Sequence, residues 1–159
     1  MSLIDVHYVN PFLSAIFEIF KEKYFLESHP EKPFLKNDEL ALGIISGIII
    51  ISGDVSGSMA ITFEEETIKY ILSKIFDKEV EDLNTEEVKE NIKELINSIS
   101  AKAVSFLKKK EGINIVTTIP TILYGKNHTI QHIISTPIIA LPFTTNKGKF
   151  IVEFTFKKN

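Results

Sequence analysis

Residues 40–63 read LALGIISGIIIISGDVSGSMAITF, and two strands can be marked on them before any other part of the chain is considered. The apolar run ending at Ile51 is flanked by Asp38 and Glu39 on one side and by Gly53 and Asp54 on the other. Crossing a bilayer takes about 20 apolar residues, so this shorter run reads as a strand buried on both faces. Residues 40–52 and 58–63 then form a hairpin, with the glycines at 53 and 57 permitting the reversal.

Upstream, Asn10 is placed to cap a helix and Pro11 to occupy its first position. Phe12, Ile16, Ile19 and Phe20 recur at helical spacing, which carries the helix to about Phe25 before Pro30 and Pro33 end it. Downstream, Ile68, Ile71, Leu72 and Ile75 predict a helix over 67–76. A longer helix, capped by Asn84 or Thr85, runs to about Lys110 and is closed by Gly112. Residues 113–156 are rich in Ile, Thr, Val and Phe, with turn signals at 125–127 and 146–148, which implies three more strands. The order α-β-β-α-α-β-β-β, with strands clustered apart from helices, predicts an α+β fold in which helices pack on an antiparallel sheet. With 159 residues, 44% of them hydrophobic, the whole chain 1–159 is read as a single domain.

Composition removes several functions. The formal net charge is −3, and every basic side chain apart from histidine is lysine, so no concentrated basic surface exists to neutralise nucleic-acid phosphates. The absence of Cys excludes disulfides, thiolate metal sites and cysteine nucleophiles, and fits a reducing compartment. Residues 1–9 carry an acid and a histidine where a leader would place a basic segment before an apolar core. The expected location is therefore the cytoplasm, with neither membrane nor nucleic acid as partner.

The long helix carries the chemistry. Val88, Ile92, Leu95, Ile96, Ile99, Ala103, Phe106 and Leu107 fall within one stripe roughly 120° wide at about 100° per residue. The same rotation sets Glu94 at about 240° and Asn97 at about 180° from Val88, opposite the core. Glu90 and Ala101 share that face and Ser98 lies nearby, so a partner surface can approach closely. By itself a Glu and an Asn three apart are what any solvated helix carries.

Glu90, then Glu94-Leu95-Ile96-Asn97, then twenty-two residues and Pro120, reproduce in order a pattern that resembles the CheX family of the CheC, CheX and FliY group of chemotaxis phosphatases. The opening Asn10-Pro11-Phe12-Leu13 with Ala15 and the run from Ser52 to Gly57, SGDVSG, are similar to the same family. The likeness covers nearly the whole chain. It departs at Glu90, where relatives more often have Asp or Ser, and at 98–103, SISAKA, where relatives often carry glycine. Only one E-x-x-N falls inside a predicted helix, whereas CheC-like relatives carry two such helices.

That resemblance implies a CheC-like fold and hydrolysis of the aspartyl phosphate of a CheY-like chemotaxis response regulator. Asn97 would orient a water for in-line attack, and Glu94 would pair with the regulator's active-site lysine. No cofactor is expected on this chain, Mg²⁺ arriving with the phosphorylated partner. A homodimer is implied, and an antiparallel sheet has edges through which to form one. The alternative is an adaptor that binds a regulator or a flagellar switch component without hydrolysis. The amide at Asn97 argues against it, since an adaptor has no chemical need for it.

Other chemistries fit less well. A Cys-Arg phosphatase loop lacks both residue types, and no Walker motif is present. His128 and His132 are four apart but lie in a strand-rich stretch without an acidic partner, which disfavours a metal site, and with Ser56 and Ser58 they show no triad spacing. His7 and His29 read as surface residues. Asp54 reads as a turn residue, Lys108-Lys109-Lys110 as cations matched to a helix C-terminus, and Phe12, Phe17 and Phe20 as core.

Overall fold

The computed structural model describes residues 6–76, 83–132, 134 and 137–159; most of the opening segment read for a leader lies outside them. Three helices, α1 (Val6–Tyr24), α2 (Glu65–Ile75) and α3 (Thr85–Phe106), lie against a sheet. Its strands are β1 (His29–Pro30), β2 (Phe34–Lys36), β3 (Ile45–Gly53), β4 (Val55–Phe63), β5 (Ile115–Thr117), β6 (Thr121–Tyr124), β7 (Ile138–Thr145) and β8 (Gly148–Lys158). The sheet is antiparallel throughout in the order β1-β7-β8-β4-β3-β5, with β2 added on β7 and β6 on β3. This is the α+β arrangement expected from the sequence.

Alternation along the strands divides the sheet into two faces. Ile45, Ile49 and Ile51 of β3, Met59, Ile61 and Phe63 of β4 and Phe150, Val152 and Phe154 of β8 join Phe12, Ile16 and Phe20 of α1 in the main core. Aromatic rings fill its centre, with Phe20 edge-on to Phe150 at 5.0 Å between centroids and Phe17 edge-on to Phe143 at 5.3 Å. Edge-to-face contacts of this kind add to plain burial, so the helix-1 phenylalanines are core as read.

Several boundaries differ from the sequence reading, each for a physical reason. Helix α1 begins at Val6, so Asn10 is not its cap and Pro11 lies inside it. Pro11 forfeits the bond to the carbonyl of His7, but burial of Val9, Pro11 and Phe12 holds the preceding turn against the sheet. Strands β1 and β2 have no counterpart in the sequence reading, which has Pro30 and Pro33 only ending the first helix. They are two and three residues long, too short to show a period, and exist through pairing with β7; Pro30 is accommodated because β1 is an edge. The first of the three expected C-terminal strands is two, β5 and β6, both on β3, with Pro120 between them. Gly57 is a strand residue, needed because a Cβ there would strike the Thr155 carbonyl of β8; the reversal is confined to Gly53 and Asp54.

The second face of the sheet carries polar residues and is crossed by residues 125–132. Ile130 packs there on Ala41, Ala60 and Ile48. On this face Ser46 and Thr62, opposite each other on β3 and β4, share a hydroxyl hydrogen bond of 2.6 Å, and Ser58 and Thr155, opposite on β4 and β8, share one of 2.7 Å.

Candidate functional site

Helix α3 is fixed at both ends and along one side. Asn84 accepts from the Glu87 N–H at 2.8 Å while the Glu87 carboxylate reaches back to the Asn84 N–H, a reciprocal capping box worth about 1 kcal/mol. At the far end a turn of π-helix, Leu107–Glu111, leads to Gly112 at φ 65°, where a left-handed residue closes the helix. Val88, Ile92, Leu95, Ile96, Ile99, Ser100 and Ala103 are buried. Gly47 of β3 sets the depth: a Cβ there would lie 2.6 Å from Ile96 Cγ1, so the missing side chain lets α3 sit directly on the sheet beneath Asn97.

Glu90, Glu94, Asn97 and Ala101 are all exposed on the opposite stripe. Among the described residues neither the Glu94 carboxylate nor the Asn97 amide makes a hydrogen bond or ion pair, although the Asn97 backbone carbonyl accepts from Ser100 at 3.1 Å. The structure thus brings Glu94 and Asn97 together on a rigid, core-anchored helix with both polar groups open to a visitor.

Helix α1 flanks this stripe on the Glu94 side. Lys102 Nζ lies 2.8 Å from Glu18 Oε1, and that hydrogen bond, with the charge of Glu18, holds the Lys102 ammonium above the ordinary lysine range. At the last residue of α1, burial pushes the Tyr24 phenol above its usual value, and the negative charge of Glu94 adds to the rise. Glu94→Gln removes the second contribution and leaves the first. Ultraviolet titration should then show Tyr24 ionising at lower pH than in the wild type; an unchanged curve would place the Glu94 carboxylate out of electrostatic reach of α1.

The remaining candidates resolve into structural roles. His128 and His132 do not face one another: His128 Nε2 meets Ser46 Oγ at 2.6 Å, and His132 Nδ1 meets Ser58 Oγ at 2.5 Å. Each ring docks on one of the cross-strand hydroxyl pairs and staples residues 125–132 to the sheet. His132 Nε2 also lies 3.1 Å from Glu153 Oε1, so Ser58, His132 and Glu153 do form a line that sequence spacing gave no sign of. Ser58 is 1% exposed and shares its hydroxyl with Thr155, which makes the line a staple and denies a substrate access to the serine. Asp54 accepts from the Asn114 N–H at 2.8 Å, a turn function as read. Lys108, Lys109 and Lys110 are exposed after α3, with Lys110 over the Phe106 ring at 4.7 Å. Among the described residues no three His, Asp or Glu side chains are grouped to hold a metal ion, and no helix is long and apolar enough to cross a membrane.

An antiparallel sheet with helices packed on it, in this order of elements, is the fold of the CheC-like chemotaxis proteins. The family model for the chemotaxis phosphatase CheX matches residues 45–144, and the chain belongs to that family. A CheC-like superfamily protein from Shewanella sp. PV-4 is 34% identical, with a TM-score of 0.85 over 97% of this chain and 99% of its own. CheX from Vibrio vulnificus is 34% identical, with a TM-score of 0.83 over 94% and 99%. The CheX of Borrelia burgdorferi, solved in complex with CheY, BeF₃ and Mg²⁺, is 26% identical, with a TM-score of 0.71 over 97% and 100%. No curated protein matches the chain.

Proposed function

We propose that this chain hydrolyses the aspartyl phosphate of a CheY-like response regulator, with Asn97 and Glu94 as the working pair. The observation that carries the reading is their joint exposure, unengaged, on a helix fixed by a capping box and a buried stripe, in a member of a phosphatase family. A phosphorylated regulator supplies its own Mg²⁺ and lysine, which neutralise the phosphoryl oxygens; the Mg²⁺ of the Borrelia complex supports assigning the metal to the partner. What remains to be added is an oriented water.

The Asn97 amide can accept from one hydrogen of that water and hold its oxygen in line with the phosphorus. A bond forms from water oxygen to phosphorus, the bond from phosphorus to the aspartyl oxygen breaks, and the products are a free aspartate, inorganic phosphate and the proton the water gives up. Neutrality matters at this position, because a carboxylate would meet phosphoryl oxygens of like charge. Glu94 pairs with the regulator's lysine and fixes the register of the docked helix. Release of phosphate from a phosphorylated CheY-type regulator with Mg²⁺ tests the reading: it should be faster with this protein than without. Binding without acceleration against every cognate regulator makes the protein an adaptor.

The reading includes a homodimer formed through a sheet edge, in a cytoplasmic setting. Exposed Val116 on β5 and Ile119 beside it, 66% and 70% accessible, make that edge the better candidate, since apolar edges invite pairing. Sedimentation equilibrium at micromolar concentration should return twice the chain mass; a monomer mass throughout removes the dimer and leaves the catalytic reading standing.

A further inference from the structure

Helix α1 ends on an unusual residue. Phe25 has φ 56°, the left-handed region that costs a residue with a Cβ about 1–2 kcal/mol and is ordinarily left to glycine or asparagine. The conformation itself has a purpose: it turns the chain back so that Leu26, 1% exposed, enters the core and its N–H reaches the Phe20 carbonyl at 3.1 Å. A phenylalanine side chain is not needed for that turn. It is 72% exposed, so the fold carries a strained backbone and an aromatic ring in water and gains little packing from it. Strain retained without internal return points outward, to a contact made by another molecule.

Its position says which molecule. Glu94 acts electrostatically on Tyr24, the residue just before Phe25, and α1 is tied to α3 through Glu18 and Lys102. Packed helices lie about 8–10 Å apart. A specific interface covers about 800 Å² on each partner, a disc about 16 Å in radius. A regulator centred on Glu94 and Asn97 is therefore large enough to reach the end of α1. Around Phe25 stand Lys21, Glu22, Glu27 and His29, which with Asn146 line a cleft of about 710 Å³: an aromatic anchor inside a polar rim, the composition that carries most binding energy in protein interfaces.

The geometry points to Phe25 as an affinity-determining contact for the same phosphorylated regulator that the Glu94 and Asn97 helix engages. This rests on the phosphatase reading above, and it assigns to α1 a share of the docking surface outside the catalytic pair. Phe25 touches no reacting atom, so it governs how tightly the regulator is held and leaves the attack of water alone.

The test compares wild type, Phe25→Gly, Phe25→Tyr and Asn97→Ala. Binding to a CheY-type regulator activated with BeF₃ and Mg²⁺ is measured by titration, and phosphate release from the phosphorylated form is measured at low and saturating concentration. Phe25→Gly suits the left-handed site, so its thermal midpoint should be no lower than that of the wild type. Its Kd should rise about tenfold, or 1.4 kcal/mol, with kcat unchanged and KM raised, and Phe25→Tyr should restore binding. An active wild type whose Phe25→Gly variant binds within twofold overturns this inference alone. A wild type that neither binds nor dephosphorylates the regulator overturns the phosphatase reading, and this inference with it.

Discussion

Asn97→Ala is expected to lower stimulated phosphate release by about 10²-fold or more while leaving regulator affinity within a few-fold. The magnitude follows from the task assigned to the amide. Where metal and lysine already neutralise the phosphoryl group, the second protein contributes orientation, and loss of one positioning group in such a site costs about 10²–10³ in rate. Alanine keeps the helix, since it is the better helix former, and the site is exposed, so no cavity is left. Asn97→Asp should be equally inactive although nearly isosteric, because the added charge faces phosphoryl oxygens. Glu94→Ala should act differently, weakening binding more than the rate at saturation. Comparing kcat and KM for the three variants separates the roles. Full activity of Asn97→Ala at saturating regulator would end the water-positioning assignment, whatever happened to Glu94.

How far these features could be read from the chain depended on whether their signal was local. Helix α3 announced itself through the period of Val88, Ile92, Ile96, Ile99 and Ala103, through a cap at Asn84 or Thr85, and through Gly112, and all of those act within the helix itself. The exposure of Glu94 and Asn97 followed from the same rotation. The pairing of β3 with β4 was equally legible, because the two are adjacent in sequence. Strands β1 and β2 were not, since their whole reason for being extended is β7, more than a hundred residues away. The histidines show the same limit from the other side. Their strand-rich setting spoke against a shared metal ligand, but it could not show that their partners Ser46 and Ser58 stand on different strands, since nothing local to 128–132 encodes that. Phe25 could not be anticipated either, as its sequence offers no glycine or asparagine to mark a left-handed turn.

A large loss of stability should come from Glu153→Ala, on the face of the sheet away from the proposed site. Glu153 is fully buried on β8, with His132 Nε2 at 3.1 Å from one oxygen and Lys36 Nζ at 3.7 Å from the other. Lys36 is itself buried on β2, where it donates to the Asp38 carbonyl at 3.0 Å. Deleting one member of a buried pair leaves the other charge uncompensated and costs about 3–5 kcal/mol. Because Lys36 keeps Asp38, whose carboxylate lies 3.4 Å away, a loss of about 3 kcal/mol is expected, read as a lower denaturant midpoint with little change in slope. The second oxygen of Glu153 has no hydrogen-bond partner among the described residues, since 3.7 Å is attraction without a hydrogen bond. The pair is therefore a weaker bargain than its burial suggests, and Lys36→Met combined with Glu153→Leu should recover most of what Glu153→Ala loses. Since α3 packs on the other face, the folded fraction of each variant should retain the wild-type rate of phosphate release. A Glu153→Ala protein as stable as wild type would mean that Lys36 reaches water in solution and that the staple over residues 125–132 is held by its hydroxyl contacts alone.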